Sequence, residues 1–209
     1  MSVSLRCYST SLGCPKNRVD TERLLGSLGV ALVPVESPDE AELVFINTCA
    51  FIQPATEESV RTIAQAIADI EELPKRPLLA VAGCLVGRYH AEDLAPELPE
   101  VDLWLDNSDL EAWPAMLARK LGLPEPTVPG RILSTGPSYA WLKISDGCRH
   151  ACSFCAIPNI RGGHRSHCKD MIVREARALL DQGVKELNLV AQDLTEWGCD
   201  LDGKQDLRT

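Results

Sequence analysis

Several kinds of segment are missing from this sequence of 209 residues. No apolar run approaches the ~20 residues that a membrane-spanning helix needs, so no membrane partner is expected. The opening residues, MSVSLRCYST, lack the charged leader and apolar core of an export signal. Short internal repeats and low-complexity tracts are absent, so the chain does not read as a repeat array. Positive charge is also scarce: 21 Lys and Arg stand against 30 Asp and Glu, a net charge of −9. Phosphate contact is driven by Lys and Arg, so direct nucleic-acid binding is not expected from this segment. An acidic balance suits a basic protein partner better.

Cysteine, in contrast, is plentiful. There are nine, an odd number that forbids complete disulfide pairing. A chain of this length buries roughly 70% of its unfolded surface, so it has a core without staples. With no export signal, a cytoplasmic location is expected, and clustered cysteines there are metal-binding or catalytic.

The first 120 residues alternate short apolar runs with amphipathic stretches. Strands are expected at 4–8, 43–46, 78–82 and 101–105, rich in Val, Ile and Leu as buried parallel strands are. Helices are expected at 19–28, 55–72, 85–94 and 110–121. The second would bury Val60, Ile63, Ala64, Ile67 and Ile70. Pro54 suits its start, and Pro74 and Pro77 close it. The alternation predicts an α/β domain with a mostly parallel sheet over residues 1–121. Residues 122–138, GLPEPTVPGRILSTGPS, hold four prolines and three glycines and read as a linker. Residues 139–209 then form a second α/β region. It has a strand at 139–145, a cysteine-bearing loop at 147–165, a helix at 170–182, a strand at 186–191 and a polar stretch at 200–209. This is one βαβ unit.

The loop reads GCRHACSFC, placing Cys148, Cys152 and Cys155 at C-x3-C-x2-C spacing. Three thiolates this close can hold three irons of a 4Fe–4S cube. No fourth cysteine follows at short range, so one iron would stay open to a substrate, as an open position distinguishes catalytic zinc sites. The alternative is a zinc site completed by His150, His164, His167 or Cys168. The position directly after a strand favours a ligand loop, because such loops sit at the carboxyl ends of parallel strands.

Three further cysteines share a setting. Cys14 follows the first expected strand, Cys49 the second and Cys84 the third. Parallel strands would bring all three to one sheet edge. Gly13 and Gly83 precede two of them and would admit a bulky ligand. Asn47 and Thr48 could donate hydrogen bonds to cluster sulfurs. Lys16 and Asn17 read as rim. Three inert core cysteines are the alternative. Cys7 reads as core, and Cys168 and Cys199 have no partner at ligand spacing.

CRHACSFC resembles the radical S-adenosylmethionine signature C-x3-C-x-aromatic-C, with Phe154 as the aromatic. The whole pattern resembles the methylthiotransferase family, and within it the branch that modifies a ribosomal protein. The segments that carry the likeness are SLGCPKNRVDTE, NTCAFIQPATEES, AGCLVGRYHAED, YAWLKISDGC, IPNIRGGHRS and LVAQDLTEWGCDL. The tRNA-modifying branch typically shows TYGCQMN and VPYTRG where this chain has SLGCPKN and IPNIRG.

The resemblance implies an N-terminal methylthiotransferase domain followed by the start of a radical S-adenosylmethionine (βα) partial barrel. It implies two 4Fe–4S clusters: an auxiliary one on Cys14, Cys49 and Cys84, and one on Cys148, Cys152 and Cys155 that binds S-adenosyl-L-methionine. The latter generates a 5′-deoxyadenosyl radical. The implied reaction adds a methylthio group to an aspartate β-carbon of small-subunit ribosomal protein 12, with flavodoxin or ferredoxin as electron donor. Gln192 and Asp193, ending the last strand, are candidates for the S-adenosylmethionine amino group. Family members continue through a complete barrel and a further small β-barrel. The chain is therefore expected to be C-terminally truncated, able to hold clusters but not to catalyse alone. The alternatives are a tRNA methylthiotransferase and a non-catalytic iron–sulfur carrier.

Overall fold

The computed structural model describes residues 4–203 and 205–207. Lys204, Arg208 and Thr209, within the stretch read as polar, lie outside them. The chain divides into two compact units, Met1–Ile132 and Leu133–Thr209.

The first unit is an α/β domain. Strands β1 (Ser4–Ser11), β2 (Ala31–Pro34), β3 (Leu43–Thr48), β4 (Leu78–Gly83) and β5 (Leu103–Leu105) form one sheet in the order β2-β1-β3-β4-β5. All four pairings are parallel. Helices α1 (Pro15–Ser27), α2 (Gln53–Ile70), the short α3 (Cys84–Tyr89) and α4 (Ala91–Leu94), and α5 (Trp113–Leu121) connect them. β3 is buried at all six positions, as a central strand covered on both faces must be. Each of its large apolar side chains contributes about 1.5–3 kcal/mol by burial. Phe45 and Leu43 join Leu24 and Leu25 of α1, Leu28 at its C-cap, and Trp113 and Leu117 of α5 in one core cluster. α2 packs on β3 as well.

Four expectations need correction. The edge strand β2 was not expected: its four residues are mostly exposed and show no apolar alternation. The expected helix at 85–94 is two, because His90 has φ 60 and ψ 151, outside the helical region. α1 begins at Pro15 rather than at Val19, with Cys14 as its N-cap. α2 buries Thr56, Ser59, Ile63, Ala66 and Ile70, while Val60 is exposed. The helix is thus rotated from its most apolar face, and Ser59 supplies the reason below.

Within the proline-rich stretch, residues 130–132 pack on α1. Arg131 Nη2 pairs with Glu22 Oε2 at 2.7 Å, both side chains nearly fully buried, and Gly130 N donates to Ser27 Oγ.

The second unit holds β6 (Tyr139–Lys143) parallel to β9 (Glu186–Val190), joined through α7 (Lys169–Asp181). Its core comprises Ala140, Leu142, Ile144, Leu179, Val184 and Trp197. Between β6 and α7 run the cysteine loop and α6 (Ile157–Arg161). The two-residue strands β7 (Ser145–Asp146) and β8 (Arg165–Ser166) close this excursion as an antiparallel pair.

Candidate metal centres

In the first unit the strand order sets the site. The chain reverses direction across the sheet between β1 and β3, and ligands of open α/β sheets bind at the carboxyl ends flanking such a switch point. Cys14 and Cys49 follow β1 and β3, on either side of it. Cys84 follows β4, the next strand. Thr48 pairs with Gly83 in register, so Cys49 and Cys84 leave adjacent strands at the same level.

The loops are in contact. Gly13 has φ +82, and a Cβ there would lie 2.6 Å from Cys49 Cβ and 2.7 Å from Cys49 Sγ. The residue before Cys14 must therefore lack a side chain because Cys49 fills the space. Gly83 has φ +99, and its Cβ would meet Asn47 Oδ1 at 2.2 Å. Ser59 fixes Cys49 from α2: its hydroxyl accepts from Cys49 N at 3.0 Å and donates to Cys49 O at 2.7 Å. That double bond to one residue's main chain explains why α2 turns a serine inward.

Asn17 joins all three loops. It is fully buried. Its Nδ2 donates to Leu12 O and to Thr48 O, both at 2.8 Å. Its Oδ1 lies 3.9 Å from Cys84 Sγ, which donates to it. The rim role read for Asn17 is thus replaced by a central one. Asn47 and Thr48 also differ from expectation. Asn47 Nδ2 donates to Asn17 O and Thr21 Oγ1, and Thr48 Oγ1 donates to Ala82 O at 2.5 Å. Both are spent on the main-chain frame rather than on sulfur. The amide that donates to a sulfur belongs to Asn107, 3.7 Å from Cys84 Sγ. It sits in a turn after β5 and nothing in its local sequence marks it.

In the second unit the loop opens from a buried charge cluster. Asp146 accepts from Lys143 Nζ at 2.8 Å, from Arg161 Nη1 at 3.0 Å on each oxygen, and from Gly147 N at 2.8 Å. Lys143 and Arg161 are each 1% exposed and Asp146 is 4% exposed. Burial pushes the Asp146 carboxyl up, but the two cations and their hydrogen bonds outweigh it and hold the group far below the usual carboxylate range. Arg161 is buried and meets both oxygens of the Asp146 carboxylate. Gly147 has φ +67, and a Cβ there would lie 2.1 Å from Gly163 O, while Cys148 N donates to Gly162 O. IRGG and DGC are therefore laid against each other. From this anchored start the loop runs outward: Cys148 and Cys155 are half-buried, and Cys152 and Phe154 are exposed.

Gln192 and Asp193 lie just past β9. Asp193 accepts from His150 Nε2 at 3.2 Å and from Thr195 N and Oγ1. The Thr195 and His150 hydrogen bonds hold its carboxyl below the usual range. Glu196 pairs with Arg149. The His150, Asp193 and Glu196 ligand atoms lie within 4.8 Å of one another, as do those of His164, Cys199 and Asp200. Neither group contains a cysteine of the triplet, so the histidines named for a zinc alternative are not gathered with it in either group. The all-cysteine donor set of each trio is the one that an iron–sulfur cube takes. Cys7 is buried in the core cluster, and burial pushes its thiol up to about 12.

A parallel α/β unit with three cysteines at its strand ends, followed by a βαβ unit with a cysteine triplet after its first strand, defines the architectural class. Residues 6–106 match the model described as "Uncharacterized protein family UPF0004". The "Ribosomal protein uS12 methylthiotransferase RimO" of Nitratidesulfovibrio vulgaris (strain DP4) is 68% identical over 202 residues, 97% of this chain and 47% of that protein. The protein of the same name from Lawsonia intracellularis is 57% identical over 209 residues, 100% of this chain and 48% of that protein. The chain spans about half the length of the curated relatives it matches. Among solved structures, the radical S-adenosylmethionine methyltransferase TsrM of Kitasatospora setae, with cobalamin and a [4Fe-4S] cluster bound, superposes with a TM-score of 0.58. It is 12% identical, covering 93% of this chain and 48% of that one, a likeness of fold. Over nearly its whole length the chain is thus RimO-like, matching those proteins across about half of their own length.

Proposed function

We propose that the protein is a methylthiotransferase that replaces a β-carbon hydrogen of an aspartate in small-subunit ribosomal protein 12 with a methylthio group. The observation that carries this reading is the gathering of the Cys14, Cys49 and Cys84 loops around Asn17, in a chain 68% identical to a RimO over 97% of its length. Cys14, Cys49 and Cys84 would hold an auxiliary 4Fe–4S cluster, and Cys148, Cys152 and Cys155 a second. When bound, the second cluster would supply the electron for reductive cleavage of S-adenosylmethionine, and the auxiliary cluster would supply sulfur chemistry beside it.

The chain's own residues orient these groups. Ser59, Asn17 and Gly13 fix the three strand-end loops, so the auxiliary thiols are held before any ligand arrives. Asp146, locked by Lys143 and Arg161, fixes the first residue of the triplet loop. The exposed Cys152 and Phe154 leave its outer face open to small molecules. Gln192 and Asp193 are assigned to the S-adenosylmethionine amino group, Asp193 being held in place by Thr195 and His150. A low-potential donor such as flavodoxin or ferredoxin completes the reaction.

Anaerobic reconstitution with iron and sulfide tests the reading. The expected result is about eight irons in two cubes, 5′-deoxyadenosine on addition of S-adenosylmethionine and reductant, and a methylthio mass gain on the aspartate of a ribosomal protein 12 peptide. Zinc without visible absorption, one cube with all six cysteines intact, or modification of tRNA in place of the peptide would each refute it.

A further inference from the structure

Asn107 is 1% exposed, and its Nδ2 lies 3.7 Å from Cys84 Sγ. Its Oδ1 is buried with no hydrogen-bond partner among the described residues. A buried amide whose carbonyl is orphaned is unfavourable, so its N–H must meet a strong acceptor to offset that cost. A thiol is a weak acceptor, whereas a thiolate makes a charge-assisted bond. The two asparagines around Cys84 differ in this respect. Asn17 presents its oxygen to the sulfur and suits the thiol; Asn107 presents its N–H and suits the thiolate. The other strand-end donors, Asn47 and Thr48, are committed to main-chain oxygens and Thr21.

We propose that Asn107 is a positioning residue for the auxiliary cluster, donating an N–H···S bond to ligated Cys84 that raises the cluster's reduction potential. The proposal rests on the assignment of Cys14, Cys49 and Cys84 as cluster ligands. One electron added to a cube makes its sulfurs more negative, and a donor fixed on one of them favours that reduced state. The amide is preorganised for this: the turn after β5 holds it in the buried layer beside β4, whose end carries Cys84.

The test uses the full chain with Cys148, Cys152 and Cys155 all changed to alanine, so that only the auxiliary cube can form. This parent, its Asn107→Leu variant and its Asn107→Asp variant are reconstituted anaerobically. Each is titrated with dithionite while the reduced cluster is followed by electron paramagnetic resonance, and the Fe–S(Cys) stretches are recorded by resonance Raman. Asn107→Leu is expected to hold four irons, as one cube requires, and to titrate at a more negative potential with shifted Fe–S(Cys) bands. Asn107→Asp keeps the shape, replaces the donor with an anion, and is expected to titrate lower still. If Asn107→Leu misfolds by circular dichroism, the isosteric Asn107→Asp decides alone. Potentials equal to the parent's in cluster-loaded variants would overturn the proposal. A parent that takes up no cube would overturn the ligand assignment beneath it.

Discussion

Replacing Asp146 with asparagine keeps the shape of the side chain and removes its charge. The consequence can be worked from the contacts. Lys143 and Arg161 lie 2.8 and 3.0 Å from the carboxylate and are each 1% exposed. At an effective dielectric of ~20 each pair is worth about 5–6 kcal/mol of Coulomb energy. Desolvation of the ions offsets much of this, and removing one member of a buried pair costs about 3–5 kcal/mol. Asp146→Asn should therefore destabilise the second unit by about 3–5 kcal/mol. Hydrogen exchange of the β6 and β9 amides isolates that unit, and its opening should accelerate by a factor of about 100 or more, at 1.4 kcal/mol per tenfold. Changing Asp146, Lys143 and Arg161 together to apolar residues of similar volume should cost less than Asp146→Asn alone, because no buried charge then lacks its partner. Acid adds a second readout. The folded Asp146 carboxyl lies well below the unfolded value of ~3.9. Its contribution is thus full above that value and is lost as pH falls through it toward the folded one, beginning near pH 5. Asp146→Asn should flatten this acid-induced loss. A cost below ~1 kcal/mol, or an unchanged acid profile, would refute the reasoning.

Other outcomes follow from the first unit. Asn17→Ala leaves the carbonyls of Leu12 and Thr48 without their 2.8 Å donor; at about 1–3 kcal/mol for each buried acceptor, a loss of about 2–4 kcal/mol is expected by urea unfolding monitored through exchange of the β1 and β3 amides. Gly13→Ala places a methyl 2.7 Å from Cys49 Sγ at a φ of +82, so iron bound to the first cysteine trio should fall while that on the second is kept; equal iron in both trios, by Mössbauer or iron analysis of single-trio variants, would count against the packing described. Cys7, with its thiol pushed to about 12, should resist iodoacetamide at pH 8.5 in the folded chain and react on unfolding, as mass mapping would show.

Much of the first site was legible because parallel strands announce themselves. LVFI and LLAVA are short apolar runs, and a cysteine separated from such a run by one or two residues falls at the sheet's carboxyl edge. Glycines next to Cys14 and Cys84 gave the close approach that Gly13 and Gly83 show. The frame behind the ligands was less readable. Ser59 looks like one polar residue among others in EESVRT, and its task depends on α2 being rotated away from its most apolar stripe. Arg161 and Lys143 look like surface cations, because a charged side chain is rarely buried without a partner and Asp146 is a partner only once β7 and α6 meet. Asn107 lies in DNSD, a sequence that reads as a turn, and only the pairing of β5 with β4 carries it to Cys84.

The short strand β2 shows why sequence order alone could not place the site. Its residues, ALVP, have little to bury, so the run carries no strand signal. Yet it pairs with β1 along Ser4–Cys7 and Ala31–Pro34. Without it β1 would be the edge of the sheet, and the chain would step β1, β3, β4 in one direction. With it, the connections out of β1 and into β3 run to opposite sides, and a crevice opens between their carboxyl ends. Cys14 and Cys49 flank that crevice and Gly13 lies in it against Cys49. The least distinctive strand in the sequence therefore decides where a ligand can enter. Replacing Val33 with proline, which removes an N–H from the β1–β2 ladder, should loosen the Cys14 loop more than the Cys84 loop, because β4, which carries Cys84, lies three strands from β2. Faster alkylation of Cys14 than of Cys84 in that variant, each relative to the parent, is the expected result, and equal acceleration would show that β2 does not define the crevice.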